Sequence, residues 1–172
     1  MEKYVPDIYS KSIYSINYDK LKEQGIKCLL FDLDNTLVPY NVKEADEKTK
    51  QIFEQLKSNF NVILFSNSPK TRLKNFKDYL EVDCLASAKK PFKKSYIKIL
   101  NEFKYAENEV AIIGDQLYTD ILGGNKVGIT TILVNPISNK YPFWTKIGRL
   151  NEKRIKNGLQ KHDLFFTGRY YE

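Results

Sequence analysis

The sequence predicts an α/β fold, with a doubly wound, mostly parallel sheet of five strands. Short apolar runs, among them 62–65, 110–113 and 130–134, alternate with stretches of helical periodicity, as in successive βαβ units. These runs are apolar at consecutive positions, which is typical of strands that helices cover on both faces. Right-handed crossovers between such strands produce a doubly wound sheet.

Each predicted element has its own local support. The helix at 44–59 carries Ile52, Phe53 and Leu56 at helical spacing, Pro69 suits the first turn of the next helix, and Gly128 ends the last helix before the final strand. The predicted strands are 27–32, 62–65, 82–86 (the weakest), 110–113 and 130–134, and the predicted helices between them are 44–59, 69–80, 93–104 and 117–125.

The 172 residues suit a single domain, 1–172, with a core at about 25–137. An N-terminal segment, 1–24, precedes this core and includes a short helix at 19–24. A basic, aromatic and helical C-terminal extension, 138–172, follows it. No apolar run approaches the roughly 20 residues that span a bilayer, and the first ten residues show no signal-peptide pattern. We therefore expect a cytoplasmic protein.

The net charge of +7 is concentrated in the C-terminal extension. Residues 139–172 contain eight Lys or Arg and three Asp or Glu, a net charge of +5, whereas the preceding residues contain 20 and 18, a net charge of +2. Seven aromatic residues share this stretch: Tyr141, Phe143, Trp144, Phe165, Phe166, Tyr170 and Tyr171. This combination suits an anionic surface, either lipid or nucleic acid, and equally a solvated helical face whose aromatic residues dock on the body.

The N-terminal segment is rich in tyrosine and leaves a similar choice open. Its tyrosines suit either packing against the body or a position at a membrane interface. They are Tyr4, Tyr9, Tyr14 and Tyr18.

Two carboxylates follow the first predicted core strand directly. Asp32 and Asp34 are two residues apart, so they point roughly the same way if the chain stays extended. Like charges this close require a cation between them, a proton on one of them, or both. The pair therefore suggests an aspartate nucleophile beside an aspartate acid/base with a hard metal ion, although a polar turn that ends the strand has the same pattern.

Further polar residues follow the ends of later strands. Ligands of doubly wound sheets bind outside the carboxyl ends of the strands, where these residues are expected to meet. Individually, each is typical of a turn, a loop or a helix cap. Together, and in this order, they predict an active site: Ser66, Lys90, Asp115 and Asp120.

On these residues the chain resembles the haloacid dehalogenase (HAD) superfamily, subclass IIIA. The four motifs are Asp32-Leu33-Asp34-Asn35-Thr36, Ser66, Lys90 within Ala88-Lys89-Lys90-Pro91, and Gly114-Asp115-Gln116-Leu117-Tyr118-Thr119-Asp120. The resemblance covers about 27–135. It implies a HAD-like Rossmannoid fold and a phosphoric monoester hydrolase that acts through an aspartyl-phosphate.

The resemblance also implies the roles of individual residues. Asp32 would attack phosphorus, and Asp34 would protonate the leaving oxygen and then activate water. Ser66 and Lys90 would hold the phosphoryl oxygens, and Lys90 would offset the charge of Asp32. Lys89 is the rival of Lys90, which is preferred because it directly precedes Pro91.

The implied cofactor is Mg²⁺, held by Asp32, Asp115 and the main-chain carbonyl of Asp34. Asp120 is expected to be a partner of the metal site or of Lys90 instead of a direct ligand. The motif neighbours expected to bind substrate are Asn35, Thr36 and Asn67.

The spacing of the motifs bears on the substrate. The 31 residues between Asp34 and Ser66 and the 23 between Ser66 and Lys90 are too few for an inserted cap domain. We therefore expect an open site, suited to a phosphoprotein, a nucleic-acid end or a lipid head group, although a partner subunit could cap it over a small molecule.

Within the superfamily, the chain resembles the YqeG-type branch, which is similar to phosphatidylglycerophosphate phosphatases of mitochondria and plastids. Two strings carry this resemblance, D-L-D-N-T-L and G-D-Q-x-x-T-D-I-x-G-x-N-x-x-G. This implies hydrolysis of that anionic phospholipid by an enzyme peripheral to the inner face of the membrane.

Three alternatives stay open. They are a cytoplasmic phosphatase for soluble esters or phosphoproteins, an RNA-associated binding protein, and a scaffold without turnover. The RNA-associated protein is less favoured because the sequence has no recognised RNA or DNA motif.

Overall fold

The computed structural model describes residues 1–141 and 146–172, in which a six-stranded, all-parallel sheet has the order β1-β6-β5-β2-β3-β4. Its strands are β1 (Ile8–Ser10), β2 (Cys28–Phe31), β3 (Asn61–Phe65), β4 (Asp83–Leu85), β5 (Val110–Gly114) and β6 (Thr130–Val134). Phe143 and Trp144 of the C-terminal extension lie outside the described residues.

The helices connect these strands in the predicted alternation. They are α1 (Tyr18–Glu23), α2 (Glu47–Lys57), α3 (Lys70–Leu80), α4 (Lys93–Phe103), α5 (Leu122–Val127) and α6 (Lys146–Lys161). A π-helical turn, Leu117–Ile121, leads into α5. Asp46 caps α2 because its carboxylate accepts hydrogen bonds from the Thr49 amide at 2.8 Å and the Thr49 hydroxyl at 2.7 Å.

The predicted fold class is confirmed, but the prediction of five strands is wrong by one. The additional strand is β1, in the N-terminal segment, where Ile8 is in register with Ile132 of β6. Three residues are too few for a strand pattern to be recognised. This strand is instead defined by distant partners, since Tyr9 also exchanges main-chain hydrogen bonds of 2.8 and 2.9 Å with Tyr171.

Helices cover both faces of the sheet, as the doubly wound prediction requires. On one face Leu29 and Phe31 of β2 belong to a large apolar cluster that includes Phe53 of α2. On the other face Leu30 packs with a cluster that includes Tyr96 of α4. Successive residues of β2 thus bury opposite faces, which explains why this strand is apolar throughout.

The two ends of the chain pack together. The Tyr9 ring lies 5.0 Å from the Phe165 ring and 4.9 Å from the Tyr170 ring, measured between centroids, and Tyr9 and Phe165 are buried. Tyr9 and Phe165 therefore dock on the body, whereas Tyr14 and Tyr170 remain substantially exposed.

Helix α6 of the C-terminal extension has one face against the body and one face in solvent. Glu152, Ile155 and Leu159 are buried and lie at helical spacing. The exposed side is basic, with Lys153, Arg154 and Lys161.

The region between the first and third motifs contains only core elements. Helix α2 and strand β3 connect Asp34 to Ser66, and α3 and β4 connect Ser66 to Lys90. All residues from 34 to 90 are described, and none of them forms a cap domain. Within the described parts of the chain, no helix is long and apolar enough to cross a membrane.

Candidate active site

The central strands bring three motif residues to one edge of the sheet. Phe31 at the end of β2 is in register with Leu64 of β3 and Ile113 of β5, so the segments that follow these strands lie side by side. The motif residues at these strand ends are Asp32, Ser66 and Asp115, and all three are buried. The site therefore lies where parallel sheets bind their ligands.

Lys90 is the centre of a buried ion-pair network. Its ammonium donates to Asp32 Oδ1 at 2.8 Å, to Asp120 Oδ1 at 2.6 Å and to the Phe65 carbonyl at 2.9 Å. Lys89, the rival in the sequence, is exposed. The structure thus brings Lys90 to Asp32, with Asp120 as the second counter-ion of the lysine.

Asp115 is connected to Asp32 through Thr36. Its Oδ2 accepts a hydrogen bond from Arg149 Nη2 at 2.9 Å, and the Thr36 hydroxyl lies within 3.4 Å of Asp115 Oδ1 and 3.2 Å of Asp32 Oδ2. Thr36 is therefore a bridge between the two carboxylates.

Three carboxylates meet closely enough to share one cation. One oxygen from each of Asp32, Asp115 and Asp120 lies within 4.8 Å of the others. Buried carboxylate oxygens are the hard donors that Mg²⁺ prefers, so this donor set fits a divalent metal ion. Each of the three carboxylates already has a donor at both oxygens, and the donors to Asp120 are Lys90 at 2.6 Å and the Gln116 amide at 3.2 Å.

The electrostatics of the cluster also favour a cation. Burial, together with the charges of Asp120 and Asp115, raises the pKa of Asp32 to about 8, although Lys90 opposes the shift. Burial likewise raises the pKa of Asp115 to about 6, against the effect of Arg149. Burial lowers the pKa of Lys90, but Asp120 and Asp32 outweigh it, so the pKa rises overall and the lysine stays charged. A bound cation would favour the ionised form of Asp32.

Asp34 is positioned by a different set of residues. Its Oδ1 accepts a hydrogen bond from Arg72 Nε at 2.8 Å and forms an ion pair with Arg72 Nη2 at 2.6 Å, and its Oδ2 accepts a hydrogen bond from the Ser68 hydroxyl. Arg72 also donates to the Val42 carbonyl at 2.8 Å and lies 3.4 Å from the Pro39 carbonyl. The arginine thus fixes both the carboxylate and the loop beside it.

The predicted substrate contacts have distinct surroundings. The Asn67 amide pairs with the main chain of Lys90, accepting at 2.7 Å and donating at 3.2 Å. Asn35 has a positive φ of 64°, and its side chain accepts from Ser138 at 2.9 Å and donates to the Lys140 carbonyl at 3.2 Å. Both asparagines therefore shape the loops around the site through contacts within the protein.

These residues surround a cavity of about 590 Å³. Its lining includes the motif residues Asp32, Asp34, Asn35, Ser66, Asn67 and Lys90, together with Tyr40, Ser68, Pro69, Arg72, Gln116, Tyr118, Thr119, Tyr141 and Gly148. A cavity of this size accommodates a small organic ligand.

Helix α6 contributes two side chains that the sequence analysis did not assign. Glu152 is buried and accepts hydrogen bonds from the Leu117 amide at 2.8 Å and the Tyr118 amide at 3.2 Å, which fixes α6 to the turn after β5. One helical turn away, Arg149 reaches Asp115, and its guanidinium carbon lies 3.4 Å from the centre of the Tyr141 ring.

The sequence analysis also did not assign Arg72 and Ser68. Like Arg149 and Glu152, they lie outside the motif positions. A sequence pattern does exist for Glu152, which is the only acidic residue in 139–162 and shares a helical face with Ile155 and Leu159. Arg72 lies close in sequence to the second motif, six residues after Ser66. Nothing in the sequence places Arg149 beside Asp115, because the partners are 34 residues apart.

The parallel sheet, with an aspartate pair after its central strand and a buried lysine against the first aspartate, defines a phosphoric monoester hydrolase of the HAD class. A solved structure with this fold is the cobalt-bound deoxy-D-mannose-octulosonate 8-phosphate phosphatase YrbI from Haemophilus influenzae. Its TM-score is 0.54 at 13% identity, covering 80% of this chain and 94% of that one.

Sequence comparison then identifies the family. The model of the mitochondrial PGP phosphatase family matches residues 1–138. The probable phosphatase YqeG of Bacillus subtilis is 35% identical over 92% of each chain. Phosphatidylglycerophosphate phosphatase 1 of Arabidopsis thaliana, a chloroplast and mitochondrial protein, is 26% identical over 91% of this chain and 49% of that protein. The chain belongs to the PGP phosphatase family and is a YqeG-type HAD phosphatase.

Proposed function

We propose that the protein hydrolyses phosphatidylglycerophosphate to phosphatidylglycerol at the surface of an anionic membrane. The main support for this substrate is the match to the mitochondrial PGP phosphatase family over residues 1–138. The uncapped cavity supports it, because a head group whose acyl chains stay in the bilayer must enter from an open side.

In the first half-reaction, an Asp32 carboxylate oxygen attacks phosphorus and the bond from phosphorus to the ester oxygen breaks. Asp34 gives its proton to the departing oxygen, so phosphatidylglycerol leaves as the neutral alcohol at that position. Ser68 and Arg72 hold Asp34 in the cavity for this transfer. Asp32 then carries the phosphoryl group as an acyl phosphate.

In the second half-reaction, Asp34 accepts a proton from water, whose oxygen attacks phosphorus. The acyl-phosphate bond breaks, inorganic phosphate leaves, and the Asp32 carboxylate is restored. Throughout, the Lys90 ammonium offsets the negative charge on Asp32. Because its three donors already have acceptors, Lys90 binds a phosphoryl oxygen only by exchanging one of them.

The cofactor in this proposal is Mg²⁺. Asp32, Asp115 and the main-chain carbonyl of Asp34 would hold it, and Asp120 would support the site through Lys90. When bound, the ion would supply positive charge that reduces repulsion between the phosphate and the attacking carboxylate.

The membrane-facing surface in this proposal is the basic side of α6. Its exposed residues Lys153, Arg154 and Lys161 are on the helix that also supplies Arg149 to the site. Basic side chains near an anionic leaflet each contribute about 1 kcal/mol of attraction. The helix would thus hold the cavity close to lipid head groups.

The test of the substrate is phosphate release with and without Mg²⁺. Phosphatidylglycerophosphate in mixed micelles is compared with sugar, nucleotide and peptide phosphates, using Asp32→Asn as the inactive blank and the exposed Asp78→Asn as the matched control. We expect the lipid to be strongly preferred and release to stop with Asp32→Asn. A preference for a soluble ester would reject the lipid while leaving the phosphatase chemistry in place.

The test of the membrane surface is sedimentation with vesicles of phosphatidylglycerol. A triple variant, Lys153→Gln with Arg154→Gln and Lys161→Gln, is expected to bind at least about tenfold more weakly, with hydrolysis of a soluble ester unchanged. The matched control neutralises three exposed lysines elsewhere, Lys74, Lys77 and Lys98. Equal loss in both triple variants would reject α6 as the membrane-facing surface.

A further inference from the structure

Arg149 has donor capacity that its known partners do not use. Its Nη2 donates a hydrogen bond to Asp115, and its buried Nε has no partner among the described residues. Leaving a buried donor without an acceptor destabilises the folded protein. The guanidinium is therefore poised to accept a further anionic ligand.

The other two cations at the site differ in this respect. The Lys90 ammonium has three acceptors, and Arg72 is bonded to Asp34 and to the carbonyl of Val42. Lys90 therefore binds a new anion only by giving up an existing partner, and the Nε of Arg72 already donates to Asp34. Arg149 alone of these three has a buried donor without an acceptor in the described structure.

The surroundings of Arg149 favour a ligand with a phosphate group. The guanidinium is stacked on the Tyr141 ring, and stacking leaves the edge of an arginine free for hydrogen bonds in its plane. Because the Nε–H has no acceptor among the described residues, this edge can donate a charged hydrogen bond to a phosphate oxygen. The side chain is also 18% exposed, so it remains open to solvent on one side.

A second cavity lies beside this guanidinium. Its volume is about 480 Å³, and its described lining residues are Asn139, Tyr141, Arg149 and Leu150. Tyr141 also lines the cavity that contains Asp32, so the two cavities are neighbours. A ligand long enough to extend over Tyr141 could place one group at Asp32 and another beside Arg149.

We propose that Arg149 binds a second phosphate of the substrate, the phosphodiester that remains in the product. The proposal rests on the proposed function, because the phospholipid named there carries a diester beside the monoester that is hydrolysed. Arg149 is then a substrate-binding residue that selects two-phosphate substrates over simple monoesters. The C-terminal helix thereby contributes to specificity as well as to folding.

The test uses soluble compounds, so that membrane binding does not affect the result. The deacylated head group, glycerophosphoglycerophosphate, carries both phosphates, whereas glycerol 3-phosphate carries only the monoester. We expect Arg149→Gln, which also removes a partner of Asp115, to lower kcat/KM for both compounds, and to lower it about 10–100-fold more for the first than for the second, as for loss of a charged hydrogen bond. Arg149→Lys keeps the positive charge but loses the planar guanidinium, so its kcat/KM for the first compound should lie between those of wild type and Arg149→Gln. The matched control is Arg169→Gln, at an exposed arginine.

A binding measurement accompanies the kinetics. Glycerophosphoglycerol, which has only the diester, should inhibit hydrolysis of glycerol 3-phosphate by the wild-type protein and should inhibit Arg149→Gln at least tenfold more weakly. If Arg149→Gln does not fold, Arg149→Lys provides the same comparison. Equal losses for both substrates, or inhibition that does not depend on Arg149, would overturn the proposal. Absence of hydrolysis of either compound by wild type, with turnover of other esters, would instead reject the proposed function.

Discussion

Gly114 lies directly against the carboxyl group of Asp120, so closely that a methyl group at position 114 would overlap that side chain. The contact arises because Asp120 projects from the π-helical turn back over the end of β5, where it reaches Lys90 at 2.6 Å. The glycine before Asp115 is therefore required for the approach of Asp120, and through it for the position of Lys90.

Replacing Gly114 by alanine should displace Asp120 and disturb the ion pair with Lys90. We expect Gly114→Ala to lower kcat/KM at least about tenfold, as expected for loss of a partner that orients a site residue. The midpoint of thermal unfolding should also fall, because the site is closely packed. Steady-state kinetics and calorimetry measure the two effects.

The matched control is Gly158→Ala, in α6. There an added methyl group would meet only the end of the Met1 side chain among the described atoms within 4 Å, and alanine is the better helix former. We expect its activity to be unchanged and its stability unchanged or slightly higher. Wild-type activity in Gly114→Ala would show that the close approach of Asp120 is not needed.

Asp115 and Asp120 should differ in their effect on cation binding. Asp120 is bonded to Lys90 and to the Gln116 amide, whereas Asp115 is a proposed direct ligand. We therefore expect Asp115→Asn to weaken Mg²⁺ binding at least tenfold more than Asp120→Asn does. Isothermal titration with MgCl₂ in the absence of substrate measures this, and equal weakening would make Asp120 a direct ligand.

The sequence was sufficient to predict the parts of the site that depend on strand order. Asp32, Ser66 and Asp115 follow apolar strands, and the parallel pairing of those strands brings them together as expected. Lys90 could be distinguished from Lys89 because of the proline that follows it.

The rest of the site could not be predicted because it depends on packing between distant segments. Arg149 and Glu152 reach the site only because α6 docks beside the turn after β5, and no local pattern specifies that docking. Similarly, β1 is defined by its pairing with β6 and Tyr171. Local sequence patterns record the burial of a segment but not the identity of its partner.

The cap of α2 should make a pH-dependent contribution to stability. The Thr49 hydroxyl and amide, which donate to Asp46, lower the pKa of this carboxyl in the folded protein below its usual 3.8. Because the folded pKa is depressed, the stabilisation is complete above about pH 4 and is lost as the pH falls through the folded pKa.

Asp46→Ala should therefore reduce the free energy of unfolding by about 1 kcal/mol at pH 7, with the difference shrinking toward pH 3. Asp46→Asn is the matched control, since asparagine caps helices nearly as well without a titrating group. Urea unfolding at both pH values measures the difference. A deficit in Asp46→Ala that is the same at pH 3 and pH 7 would contradict the role of the charge.

Glu152 should control the docking of α6. Its carboxylate is the partner of the buried Leu117 amide and of the Tyr118 amide, so Glu152→Ala leaves these donors without an acceptor, at a cost of about 1–3 kcal/mol. We expect faster hydrogen exchange in α6 and in 117–121, and lower kcat/KM because Arg149 loses its place beside Asp115. Hydrogen-exchange mass spectrometry locates the change, and the exposed Glu54→Ala is its control.

Deleting the C-terminal extension would alter the active site as well as the basic surface, so the deletion is a poor test of membrane binding. Removing residues 141–172 would eliminate the basic surface together with Arg149, Glu152 and the ring of Phe165 that packs on Tyr9. We therefore expect the deletion to lower hydrolysis of a soluble ester as well as vesicle binding. If Glu152→Ala left exchange in α6 unchanged and the deletion kept full activity on the soluble ester, the helix would be independent of the site and its only role would lie at the surface.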